Sequence, residues 1–147
     1  MQHLIQKRQE IEKLRTSSSI STVQAEQLGK SIASSWQRSN SAEIPKDRFA
    51  APISECSMSQ GSALQHALSY CADELRHIAQ QSSMVVAVGD IGSTIIWSAS
   101  SRQMRNAAES VHFVEGGQWR EELVGTNALA LSLKTQQSSC VLSLIHI

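Results

Sequence analysis

Apolar positions recur along this chain with two different periods, and the place where one gives way to the other organises the fold. Over residues 2–15, Leu4, Ile5, Ile11 and Leu14 stand among alternating charges at helical spacing. This stripe is narrow enough to pack on one neighbour and too short to establish a coiled coil. The Thr16-Ser17-Ser18-Ser19 cluster breaks that helix, and Ser21 or Thr22 can cap a second one running to about Arg38, on which Leu28, Ile32 and Trp36 share a face. Residues 40–57, with Pro45 and Pro52, read as an irregular connector. A third helix is predicted over about 58–81, where Leu64, Leu68, Cys71, Leu75 and Ile78 follow one another at helical spacing. That spacing makes Cys71 a core residue, as free cysteines often are.

After Ser82-Ser83 the period shortens to that of strands. Met84–Val88 and Thr94–Ser98 flank the turn-forming Gly89-Asp90-Ile91-Gly92-Ser93, which predicts a hairpin. The first strand is apolar on both faces and is expected to be covered on both sides, leaving room for a pocket on one of them. A short helix near Arg102–Ala108, a short strand near Val111–Val114, a helix from about Thr126 to Lys134 and a strand starting at Ser139 complete the reading. Helices, hairpin, helix and strand in that order predict an α+β domain with an antiparallel sheet flanked by helices. Residues 142–147 are set aside as a non-native tail, because one permitted back-translation resembles the transposase end sequence attached during sequencing-library preparation. The alternative is a genuine apolar strand.

Bulk properties narrow the function more than they identify it. The chain has 147 residues, 41% of them hydrophobic, enough for one ordinary core. Its 13 basic and 13 acidic side chains cancel, so net charge points to neither nucleic acid nor a membrane surface. Three widely spaced cysteines with no Cys-x-x-Cys pair argue for a reducing, cytoplasmic setting and against a zinc site. No apolar signal core opens the chain, and no stretch approaches the roughly 20 apolar residues of a membrane helix. There is no phosphate-binding loop, nucleophile elbow, metal-ligand helix or dinucleotide fingerprint. His66 and His77 each lack a second ligand one turn on. Glu121 and Glu122 are adjacent, and in an extended loop would point apart, which is poor geometry for paired acid–base work. These observations lead us to expect a non-enzyme with no cofactor and no metal.

The densest information lies in Gly116-Gly117-Gln118-Trp119-Arg120-Glu121-Glu122-Leu123-Val124-Gly125-Thr126-Asn127-Ala128. Gly125 can adopt backbone angles closed to other residues, Thr126 or Asn127 can cap the following helix, and Trp119 must bury its ring. Far upstream stands Ser34-Ser35-Trp36-Gln37-Arg38-Ser39. Arg38 falls near the negative end of its helix dipole, and Trp36 reads either as a relay element or as a buried anchor beside a solvated charge.

Taken in this order, the two motifs resemble the N-terminal region of the sigma-54-dependent, Fis-type bacterial transcriptional regulators of the acetoin-catabolism kind, from about Gln27 to Val141. In that family a Ser-Trp-x-Arg-Ser helix precedes a GAF domain, whose loop reads Gly-x-x-Trp-x-Glu-Glu-x-x-Gly-Thr-Asn-Ala. Here Arg120 stands where serine is more usual, and Ala130 where glycine is often found. The resemblance implies a helical segment and connector over 1–52 and a partial GAF-like sensor domain over 53–141 whose further strands lie beyond the chain. It also implies a small-molecule effector, a homodimer, and contacts with DNA and sigma-54 RNA polymerase made only through regions outside this chain. The candidate ligand-binding residues are Val86 and Trp97 on the hairpin and Trp119, Glu121 and Thr126 on the loop. Trp36, Arg38, Gly125 and Asn127 are the structural and relay candidates. A dimerisation or docking domain without ligand, with the N-terminal helices as its working surface, is the alternative. A GAF-like reductase acting on free methionine sulfoxide is disfavoured by the cysteine spacing.

Overall fold

The computed structural model describes residues 29–45, 50–55 and 62–141. The helix expected over 2–15, the start of the second helix and the tail at 142–147 lie outside the described residues. Within them run helix α1 (Lys30–Ser41), helix α2 (Ala63–Gln81), strands β1 (Val85–Gly89) and β2 (Ile95–Ser100), helix α3 (Arg105–Ser110), the single turn α4 (Glu121–Val124) and helix α5 (Ala128–Thr135). The architecture is α+β, with one antiparallel hairpin and helices around it.

Helix α2 starts at a serine cap: the Ser62 hydroxyl accepts from the Gln65 amide at 3.2 Å, satisfying one of the helix's otherwise orphaned donors. It packs on both strands, with only part of the predicted stripe, Leu68 and Leu75, turned inward. Leu68 and Ala79 are buried and Gln65, Ala72 and Leu75 half-buried, whereas Cys71, Leu64 and Ile78 are exposed. Cys71 is therefore a surface residue. Apolar side chains cover more of this helix than the hairpin can hide, and the side turned inward is the one whose alanines allow close approach.

The hairpin follows its sequence pattern closely. Val85 pairs with Ser100, Val86 with Ala99, Ala87 with Ser98 and Val88 with Trp97, before an irregularity at Val88/Gly89 puts Gly89 opposite Ile95. The Asp90 carboxylate closes the turn, accepting from the amides of Gly92 at 2.9 Å and Thr94 at 2.8 Å. All five β1 residues are half-buried rather than enclosed on both faces: among the described residues α2 is the helix that packs on the hairpin, and β1 pairs with β2 alone.

Val111–Val114 is not a strand. The backbone of His112 turns over to φ 57°, and the Phe113 amide bonds back to Ala108 O at 2.8 Å, so these residues unwind from the end of α3. Their alternating apolar side chains still point inward: Val111 and Phe113 pack on a core of Ala51, Ile95, Trp119 and Val124. Extended pairing comes later, where Gly117 bridges Ile53 and Gln118 bridges Thr94. A side chain at Gly117 would run into the His112 carbonyl, so the close approach of these two backbone segments requires glycine. The strand expected from Ser139 is likewise absent over Ser139–Val141.

Candidate functional site

The tryptophan loop is fixed before any functional side chain is considered. The Gln118 amide donates to Pro52 O and the Trp119 amide to Ser93 O, each at 2.8 Å, so the segment is strapped between the connector and the hairpin turn. Trp119 is 1% exposed. Its indole N–H donates to His112 O at 3.1 Å, and its ring meets Phe113 edge-on with centroids 5.1 Å apart. Beyond α4, Gly125 sits at φ 76°, ψ −163°, a region essentially closed to residues with a Cβ.

Asn127 then makes three bonds with one amide. Its oxygen accepts from the Ala130 amide as the N-cap of α5, and its nitrogen donates to Trp119 O and Gly125 O, all at 2.9 Å. Serine or aspartate could cap the helix, but neither can also supply two donors to the loop.

This scaffold turns Glu121 inward. The residue is 5% exposed, and a buried carboxylate must be paired. Its partners come from α1 and α5. The Ser35 hydroxyl donates to Oε1, Arg38 donates through Nη2 to Oε1 at 2.9 Å and through Nε to Oε2 at 3.1 Å, and Lys134 Nζ reaches Oε2 at 3.3 Å. Ser35 also shares a hydrogen bond with the Thr126 hydroxyl at 2.7 Å. Burial alone would raise the Glu121 carboxyl; hydrogen bonds from Ser35 and Arg38, with the positive charges of Arg38 and Lys134, outweigh it and hold the group below the usual carboxylate range. Glu121 is therefore a fixed anion at neutral pH, gripped by the arginine in the side-on, two-donor geometry that lysine cannot offer.

The structure thus brings Arg38 together with Glu121 and Thr126, although it precedes both by more than 80 residues in the chain. Ser35 and Lys134 belong to the same cluster and were missed by the sequence reading. Ser35 had a signal, one helical turn before Arg38 within the motif; Lys134 had none. Trp36 packs beside them on the buried side of α1, where its indole N–H and the Ser39 hydroxyl find no partner among the described residues. Val86 and Trp97 lie half-buried on the hairpin.

Next to Glu121 opens a concavity of about 270 Å³ between the hairpin turn at Ile91 and Ser93, the loop at Arg120 and Glu122, and Leu133 and Lys134 of α5. Of the five ligand-binding candidates, only Glu121 lines it. Among the described residues no group of three His, Cys, Asp or Glu is placed to hold a metal ion, and no helix is long and apolar enough to cross a membrane.

No family model matches the chain. An uncharacterised 47.3 kDa protein from the thcA 5′ region of Rhodococcus erythropolis is 27% identical over 111 residues, covering 69% of this chain and 24% of that protein. The chain therefore spans about a quarter of the length of this relative. Among solved structures, the E. coli DhaR(N)-DhaL complex contains a chain similar to this one at 18% identity and a TM-score of 0.48, covering 73% of this chain and 38% of that one.

Proposed function

We propose that this chain is the GAF-like signal-sensing module of a cytoplasmic bacterial transcription activator of the sigma-54-dependent, Fis-type kind, and that it passes its signal through the contact between α1 and the tryptophan loop. It is no enzyme in this reading. It binds a small effector, acts as a homodimer, and leaves DNA and RNA polymerase to other parts of the protein. The observation that carries the reading is the buried Glu121 carboxylate, which ties the Ser-Trp-x-Arg-Ser helix to the Trp-x-Glu-Glu loop through Ser35 and Arg38. These are the two segments on which the family resemblance rests, and a polar, ionic joint between them is a better two-state element than an apolar seam. An effector shifts such an element only by binding one of its arrangements more tightly than the other.

The test is a transcription reporter driven by the full-length regulator. Glu121→Gln and Arg38→Met are expected to displace the effector response in the same direction, and their combination to do little more than either alone. A wild-type response from both variants, at wild-type protein levels, overturns the reading.

A second reading, docking without a ligand, draws on α2, where Leu64, Tyr70 and Ile78 are 38%, 78% and 41% exposed. It predicts concentration-dependent association that Tyr70→Glu abolishes, together with no thermal shift from any metabolite. Association unchanged by Tyr70→Glu counts against it.

A further inference from the structure

Helix α2 carries two neighbouring rows of apolar side chains, and the hairpin takes only one of them. Leu68, Ala72, Leu75 and Ala79 are the ones buried or half-buried where α2 packs on β1 and β2. Beside them Leu64, Cys71 and Ile78 stand exposed at intervals of seven residues. Seven residues make almost two whole turns, so this second row runs about 21 Å along the helix and drifts around it by only about 20° per interval. That is the line one helix offers to another lying nearly along it, at a crossing angle of about 20°.

The border of the row suits close approach. By helical position Ala67 and Glu74 lie on its open side, and Glu74 is the only charged residue next to it. Asp73 and Arg76 fall farther round the helix and pair with each other.

Two observations select a second copy of α2 as the helix that covers the row. The row matches itself: Leu64 and Ile78, whose side chains are isomers, stand equally far on either side of Cys71. A two-fold axis at Cys71 therefore sets this residue against its counterpart and apolar ends of equal size against each other, in either direction of pairing. The other long helix is already engaged. Helix α1 packs on α4 and α5, which leaves α2, at 19 residues the longest helix among the described residues, with the open apolar line. A partner recognised by its charge would meet a single carboxylate there, too little to select it.

We infer that two copies of this chain associate through α2, along Leu64, Cys71 and Ile78, with Cys71 at the two-fold axis. The inference rests on the homodimer of the sensor reading, to which it gives an interface. One helix pair of about 28 Å lies at the low end of specific interfaces, so association falls in the micromolar range.

The test follows the full chain by sedimentation velocity across that range, with Cys56→Ser and Cys140→Ser leaving Cys71 as the one thiol for a short bismaleimide. A reversible dimer that crosslinks through Cys71 is expected. Leu64→Glu and Ile78→Glu should each weaken it about tenfold or more, since a carboxylate in an apolar seam loses water and gains no partner. Both positions are exposed, and circular dichroism checks that the variants fold. Should either fail to fold, the crosslink across the unaltered row decides alone. A chain monomeric throughout, a dimer that does not crosslink through Cys71, or one undiminished by folded Leu64→Glu and Ile78→Glu overturns the inference. A monomer whose Cys71 resists a monofunctional maleimide also overturns it, by showing that another segment of the same chain lies on the row. The reporter separates the two ideas. If Glu121→Gln and Arg38→Met alter transcription in a monomeric regulator, the sensing joint stands without this interface. A Cys71-linked dimer with an unresponsive reporter leaves the interface standing without the reading.

Discussion

Replacing Glu121 by glutamine keeps the shape of the buried side chain and removes its charge, so it isolates what the ionic joint contributes. The Ser35 hydroxyl can still donate to the remaining amide oxygen. The new amide nitrogen, however, must face Arg38 Nε and Lys134 Nζ, which are themselves donors. Removing one partner of a fully buried pair costs about 3–5 kcal/mol, because the other charge is stranded. Here the stranded side chains are 38% and 48% exposed and can regain water. The expected loss is accordingly smaller, about 2–3 kcal/mol, in keeping with a pair of charge-assisted hydrogen bonds. Small domains are stable by only about 5–15 kcal/mol, so a fall of roughly 10 °C in melting temperature should accompany it. Urea unfolding at pH 7 of wild type, Glu121→Gln, Arg38→Met and the double variant measures both the loss and the coupling, expected at about 1–2 kcal/mol. A loss below about 0.5 kcal/mol, the range of ordinary surface changes, or additive single variants would refute the view that Glu121 joins α1 to the loop.

Acid should act on the same joint. Because the folded Glu121 carboxyl titrates below the ordinary glutamate value of about 4.3, its contribution is fully present above that pH and lost as pH falls through the lower folded value. The stability gap between wild type and Glu121→Gln is therefore flat above about pH 6 and closes in acid; a gap that widens there contradicts the assignment. Trp119→Ala empties the centre of the core and leaves the His112 carbonyl without its indole donor, at about 3–5 kcal/mol; a melting curve little changed would mean that the ring is not where the core is built. Gly125→Ala forces a Cβ into a backbone region reserved for glycine and should cost about 1–3 kcal/mol in the same melt, with no loss expected only if the loop adopts other angles.

Much of the fold was written locally, and what was local could be read. The hairpin followed from two β-rich runs around an Asp-Gly turn, and its strands begin and end within about two residues of expectation. A cap at Thr126 or Asn127, which the structure assigns to Asn127, and the need for glycine at position 125 were equally visible, since both depend on a few adjacent residues. Misreadings arose where a pattern had two physical solutions. Alternation over Val111–Val114 came from a turn whose side chains happen to face the core, and the apolar spacing on α2 allowed two neighbouring faces, of which the one carrying Cys71 stayed outside. The candidate site shows a different gap. Each motif was legible alone, but nothing in either announced that Ser35 and Arg38 would close on Glu121, because that contact depends on tertiary packing rather than on period or capping.

The same long reach orders events when the chain folds. Glu121 lies 83 residues from Arg38 and 86 from Ser35, so closing this contact early would cost far more chain entropy than closing the hairpin, whose strands adjoin. It should form after the rate-limiting step. Stopped-flow traces of Glu121→Gln are then expected to show unfolding quickened and refolding almost unaltered, whereas slowed refolding would place the joint in the nucleus. A contact made last on the way in is also the first that a living cell can undo without dismantling the rest.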